Sequence, residues 1–381
     1  MFHSVGNDRS TWHRRYLSVT AAHFERFCHF LSKNNYRTLF FDEWFFLQDY
    51  PEKRSGKEIF LNLDDGYLDN WVFAYPILKK YGLKATVFIN PEFVDPIDQI
   101  RPNIEDARNW KVGQENLQSL GFLSWPEIQK MDSDGVIQAQ SHSMTHNFYF
   151  YSEELIDFYI GQPEYDWLAW FHASERKPYY ITEDQTELVP FGYPIFKYGR
   201  ALGLRRFSPA ESIVELFVGK AKSLKDKGTE NDETIKEALF HEARNCLDKN
   251  SSWGCFETDQ EMEARYRYEL YDSKRILEEK LNHPVEYLCW PGGGYDEKSI
   301  ALSIEAGYKA STIAARDKKI YNNSGNYKRV PRYGTGSFIY KNNRRVPAFL
   351  SNHLIHLYKA KKGNVYSRAV LKFEKIFAGI R

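Results

Sequence analysis

The feature that most restricts this chain is an alternation: short apolar runs that stop on polar residues, each followed by a stretch with helical spacing. Residues 58–63 (EIFLNL) end at Asp64, Asp65 and Gly66, and helical spacing resumes over 70–80. Residues 84–90 (KATVFIN) read as another strand, 125–131 as a helix opened by Ser124, and 135–141 as a strand leading into His142. Upstream, 21–34 has helical spacing and 37–40 is strand-like. Repeated βα units make a parallel sheet, open or closed, and polar chemistry gathers at the carboxyl ends of its strands.

The rhythm breaks from about 147 to 258, an aromatic and charged stretch too long for a loop and read as an insertion. Within it a helix is expected over 232–248, and PFGYPIFKYGR is expected to be irregular. The pattern then returns as a long charged helix over 261–281, a strand over 286–290, a glycine-rich loop from Pro291 to Tyr295, a helix over 297–306 and a strand over 308–313. No period of 20 to 50 residues repeats, which disfavours a solenoid or propeller. The expected organisation is one barrel over 1–340, interrupted at about 147–258, and a basic, helical tail over 341–381.

Charge and cysteine usage narrow the partners. With 52 Lys+Arg against 51 Asp+Glu, a formal +1, no global field argues for nucleic acid. The hydrophobic fraction of 42% is enough to fill a core. No run is long enough to span a bilayer, and the charged start, with Asp8 and Arg9, does not read as a signal peptide. Cys28, Cys246, Cys255 and Cys289 form no close-spaced pair, so neither a disulfide framework nor a thiolate zinc site is expected, and the expected compartment is the cytoplasm.

Three clusters at predicted strand ends could carry chemistry. Asp64 and Asp65 are adjacent, so their side chains diverge and one can bind a metal while the other faces substrate; the same DDG also describes a turn that caps the next helix. His142 and His146 (HSMTH) have the spacing that lets two imidazoles converge on one divalent ion, or they form a structural pair. One carboxylate added to them makes a three-ligand hydrolytic site with an open position. The third cluster is the PGGGYD loop from Pro291.

These blocks together resemble the polysaccharide deacetylase (NodB-homology) family. LNLDDGY at 61–67 is similar to its TFDDG motif, SHSMTH at 141–146 to its H[ST]xxH motif, and LCWPGGGYD at 288–296 to its third motif. MFHSV at the start resembles the opening of the branch that deacetylates poly-N-acetylglucosamine-type exopolysaccharides, and PILKKYGLKATVFI and SWPEIQKMDSDGV read similarly. The likeness covers 1–147 and about 260–335. It implies a distorted (β/α)7 barrel with a large insertion and a helical tail, and a hydrolase that removes N-acetyl groups from an amino-sugar glycan. By the family pattern Asp65, His142 and His146 would hold zinc or a similar divalent ion, Asp64 would be the general base, and the Gly292 N–H would meet the oxyanion. Tyr67, Trp290, Pro291 and Tyr295 would shape the substrate pocket.

The chain departs from that pattern in three places. Asn62 and Leu63 replace Thr and Phe; Cys289 stands where an Arg often orients the base, leaving Arg329 or Arg332 in RVPR to substitute; and the late His that serves as general acid has no counterpart. His353 and His356 (NHLIH) are expected on an exposed helix. His3 is read either as facing the barrel mouth or as a core histidine. Aromatics of the insertion such as Tyr149, Tyr151 and Trp167 could stack on sugars or fill a core. Two other functions stay open, an amidase acting on a small non-sugar compound and a silent glycan-binding protein. The tail holds ten basic residues against the single acid Glu374, with apolar residues at helical spacing, a pattern of contact with an anionic membrane or of a helix packed on the barrel. Membrane contact would bring the site to a lipid-linked sugar.

Overall fold

The computed structural model describes residues 1–6, 12–108, 117–228, 231–247, 252–314, 329–341 and 344–378. The chain divides into two compact units: Met1–His142 with Lys274–Cys289 and Tyr308–Arg381, and Ser143–Ser273 with Trp290–Gly307.

The first unit is built on a six-stranded parallel sheet: β1 (Asn62–Asp64), β2 (Ala85–Ile89), β3 (Ile137–Ser141), β4 (Tyr287–Cys289), β5 (Ala310–Ala314) and β6 (Arg329–Arg332). In space the strands follow their order in the chain, β1 next to β2 through to β6. β2 (ATVFI) is buried along its whole length, as a parallel strand covered on both faces must be. The α/β barrel-type sheet agrees with the expectation, although the described residues give six strands in it and not the seven of a (β/α)7 barrel. Past β1, Phe2 bridges in parallel to Leu63: its N–H donates to the Asn62 carbonyl at 2.8 Å and its own carbonyl accepts from the Asp64 N–H at 3.0 Å. The run read as one strand over 58–63 splits at Leu61; Glu58–Phe60 pairs instead with Arg37–Leu39. The helix Trp125–Ser133 starts in a capping box between Ser124 and Glu127.

The second unit has its own core. Its spine is the antiparallel pair Phe148–Phe158 and Pro194–Arg200. PFGYPIFKYGR is therefore irregular only over 190–193. Pro194 opens a strand of a two-stranded sheet, a position where its missing N–H is tolerated. Phe150, Trp167, Trp170 and Phe196 are buried, while Tyr151 stays exposed. Of the aromatics offered as sugar platforms, Trp167 is thus core, Tyr149 is half-buried and Tyr151 is exposed. The helix expected over 232–248 is present as Asp232–Leu247.

Candidate active site

Parallel register sets the level at which the site residues emerge. Asp64 lies opposite Phe88, Ile89 opposite Ser141, and Ser141 opposite Leu288. Asp65 and His142, which follow β1 and β3, and Cys289, which ends β4, therefore lie at one edge of the sheet. Asp65 adopts φ +74° and Gly66 φ +71°, so the chain turns sharply just after β1. Ser143 and His146 also have positive φ (+62° and +53°). Non-glycine residues seldom sit there, and strain of this kind collects at functional sites.

Asp65 and His142 meet directly, with Oδ1 3.1 Å from Nε2. Two ligands each ~2.0–2.1 Å from one ion lie about 3.0–3.4 Å apart, so this pair is already at a coordination spacing. The opposite ring nitrogen of His142, Nδ1, lies 2.7 Å from the Cys289 carbonyl oxygen. A carbonyl can only accept, so Nδ1 carries a proton, and Nε2 is the ring nitrogen turned to Asp65. Of the three residues expected to hold an ion, Asp65 and His142 belong to the first unit and His146 to the second. Burial alone would pull the His142 pKa down, yet Cys289, Asp65 and Asp64 hold it well above its ordinary value. A field that favours a proton at that point also favours a metal cation.

A second donor set, Asp64 with His142 and Cys289, lies wholly in the first unit, its ligand atoms within 4.8 Å of one another. The Arg332 guanidinium counts against it. Its Nη1 donates to Asp64 Oδ1 at 2.7 Å and its Nη2 lies 2.9 Å from Cys289 Sγ, so a permanent positive charge occupies the ground a second cation would need. Asp64 also accepts from Asn62 Nδ2 at 3.0 Å. Burial would raise the Asp64 pKa, but Arg332, His142 and His3 outweigh it and hold the carboxyl at about 2. Of the two arginines in RVPR, Arg332 ends β6 opposite Ala314, whereas Arg329 begins it. His3 Nε2 is 4.0 Å from Asp64 Oδ2, and burial lowers its pKa.

The second unit holds a buried network of its own. The backbone N–H groups of Met144 and Thr145 both donate to Glu269 Oε2 at 3.0 Å, and the Thr145 hydroxyl donates to Oε1. Buried Lys177 donates to the Thr145 carbonyl at 3.0 Å. The loop that carries His146 is thereby held by two buried charges that no motif announces. Gly292 turns with φ +55°, and a Cβ there would fall 2.0 Å from Arg200 Nε; one on Gly294 would fall 2.2 Å from Arg200 Cβ. Arg200 in turn stacks on Phe148, 3.7 Å from the ring centre. The glycines of the third motif leave room for a guanidinium that sequence reasoning passed over.

The expected pocket residues separate into two kinds. Tyr67 is buried between Trp12 and Phe122, and Trp290 and Pro291 are buried too, so these three build walls. Tyr295 instead lines an open groove of about 340 Å3 together with Tyr151, Arg200 and Gly292–Gly294. His353 is buried, not exposed: its Nδ1 lies 2.5 Å from buried Glu374, so it belongs to the packing of the tail.

Comparison with known proteins agrees with this picture. The polysaccharide deacetylase family model matches residues 52–170, which include Asp64, Asp65, His142 and His146. YxkH of Bacillus subtilis (strain 168), whose name assigns it to the polysaccharide deacetylases, is 39% identical over 89 residues; the match covers 23% of this chain and 30% of that relative. A de-N-acetylase from Aggregatibacter actinomycetemcomitans is similar in structure with a TM-score of 0.51 at 14% identity, covering 88% of this chain and 93% of that one, a likeness of fold. The BpsB deacetylase domain from Bordetella bronchiseptica aligns with a TM-score of 0.48 at 13% identity, over 87% of this chain and 88% of that one. The likeness to polysaccharide deacetylases is thus carried by residues 52–170, the part of the chain that the family model matches.

Proposed function

We propose that this chain is a metal-dependent hydrolase that removes N-acetyl groups from an amino-sugar glycan or a lipid-linked sugar. The observation that carries the reading is the arrangement around β1: Asp65 is paired with His142, whose other ring nitrogen is fixed on the Cys289 carbonyl, while its neighbour Asp64 is held ionised by Arg332. Two adjacent carboxylates thus have different environments and different tasks. Asp65, His142 and His146 would hold one divalent ion; two imidazoles and one carboxylate suit zinc and leave a position open. When bound, the ion supplies positive charge that acidifies a water and polarises an amide carbonyl.

The chain's own groups do the rest. Asp64 accepts the proton of the attacking water, and Arg332 keeps its carboxylate aimed and charged. The Gly292 N–H would serve as oxyanion donor. Addition of water to the carbonyl carbon and cleavage of the C–N bond yield acetate and the free amine. The groove of Tyr151, Arg200 and Tyr295 offers a stacking face and a fixed cation to a polar sugar. The test is acetate release from N-acetylglucosamine oligomers, expected to stop on chelation and to return with zinc. Release that survives full metal removal overturns the mechanism. Cleavage confined to small non-sugar acetamides overturns the substrate class.

A further inference from the structure

The C-terminal helix Val365–Phe377 is turned inside out. Its buried positions are Ser367 and Glu374, while Val365, Tyr366, Phe373, Ile376 and Phe377 are exposed, Phe373 and Ile376 to 53%. At about 100° per residue these five fall within an arc of about 120°. Arg368, Lys372 and Lys375 occupy the adjoining arc and are exposed, and among the described residues none of the three pairs with an acid. Glu374, the tail's sole acid, points the other way, accepting from the Leu350 N–H at 2.8 Å and lying against His353. The helix is held by its polar side, and Lys341 Nζ closes its end by donating to the carbonyls of Ile376 and Ala378 at 2.6 and 2.9 Å.

We infer that this face is a docking surface for an anionic lipid bilayer. An exposed apolar arc edged by lysine and arginine is what a helix lying in the headgroup plane presents: the rings and Ile376 enter the acyl boundary while the cations meet lipid phosphates and carboxylates. Charge decides between occupants. Residues 341–381 carry +9 in a chain of net +1, so two copies facing through this arc would bring two strongly positive tails together. An anionic surface gains from the same charge. Among the described residues no helix is long and apolar enough to cross a membrane, so the contact is peripheral.

The experiment needs no catalytic activity, so its outcome is independent of the deacetylase reading. The whole protein is co-sedimented with phosphatidylcholine vesicles with and without 30% phosphatidylserine. Binding is expected to rise about tenfold or more with the anionic lipid and to fall in high salt. Phe373→Ser/Ile376→Ser/Phe377→Ser, all at exposed sites, should abolish binding with an unchanged circular dichroism spectrum and melting temperature. Lys372→Glu/Lys375→Glu should erase the preference for anionic lipid. Equal binding to neutral vesicles overturns the proposal, as does retained binding by the triple variant. So does a wild-type dimer that the triple variant makes monomeric, which would assign the face to a second copy.

Discussion

The carboxyl edge of the first unit's sheet and the clamp around residues 143–147 in the second fix their side chains by different means. At the sheet edge, each reactive side chain directly follows or ends a strand, so register alone fixes its height. In the second unit the loop has no regular structure of its own, and its shape is set by Glu269 and Lys177 reaching in from elsewhere in the chain. The difference teaches that sheet-edge residues are replaceable only at the expense of chemistry, whereas clamp residues act through position.

Substitutions can break this contrast. The largest effect is expected from Asp64→Asn, which keeps the shape of the side chain but removes the proton acceptor: kcat should fall about 10²–10⁴-fold with metal content retained. Turnover close to wild type would make Asp64 a structural cap. Next is Glu269→Ala, which orphans two buried N–H groups and should weaken metal affinity about 10–100-fold, the usual worth of a group that orients a ligand. Glu269→Gln should restore most of it, because an amide oxygen can accept both N–H bonds and the amide nitrogen can donate to Thr145. Titration with zinc reads both variants; if Gln is as damaging as Ala, the clamp works by charge and not by geometry. The smallest effect is expected from Gly292→Ala. Its Cβ must displace Arg200 and hold a left-handed backbone, costing about 1–2 kcal/mol from the backbone alone. A drop of a few degrees in melting temperature with a raised KM is the expected result, and an unchanged KM would remove Arg200 from the binding groove.

What could be read in the sequence follows the same division. Asp64, Asp65, His142 and His146 were legible because each pair sits where an apolar run stops, and that is where a parallel sheet exposes chemistry. Arg332 was legible only as one of two candidates; parallel pairing, which puts Arg329 at the start of β6, decides between them. Glu269 was hidden because it lies in a densely charged helical stretch, where one more acid looks solvated. Arg200 was hidden in a segment whose prolines and glycines suggested an irregular loop. His353 misled because its partner, Glu374, is 21 residues further on, and a short-range pattern carries no trace of such a pair.

The order of the strands also bears on how the site comes into being during synthesis. Since β1 to β6 take their places in the order they leave the ribosome, each new strand can dock on the edge left by the one before. Asp64 is made early, yet the guanidinium that neutralises it arrives 268 residues later. Until then the carboxylate must keep its water, which holds the mouth of the nascent sheet open. Contacts this distant in sequence form slowly. A chain that ends before Arg329 therefore retains Asp65, His142 and His146 while lacking the guanidinium that pairs with Asp64.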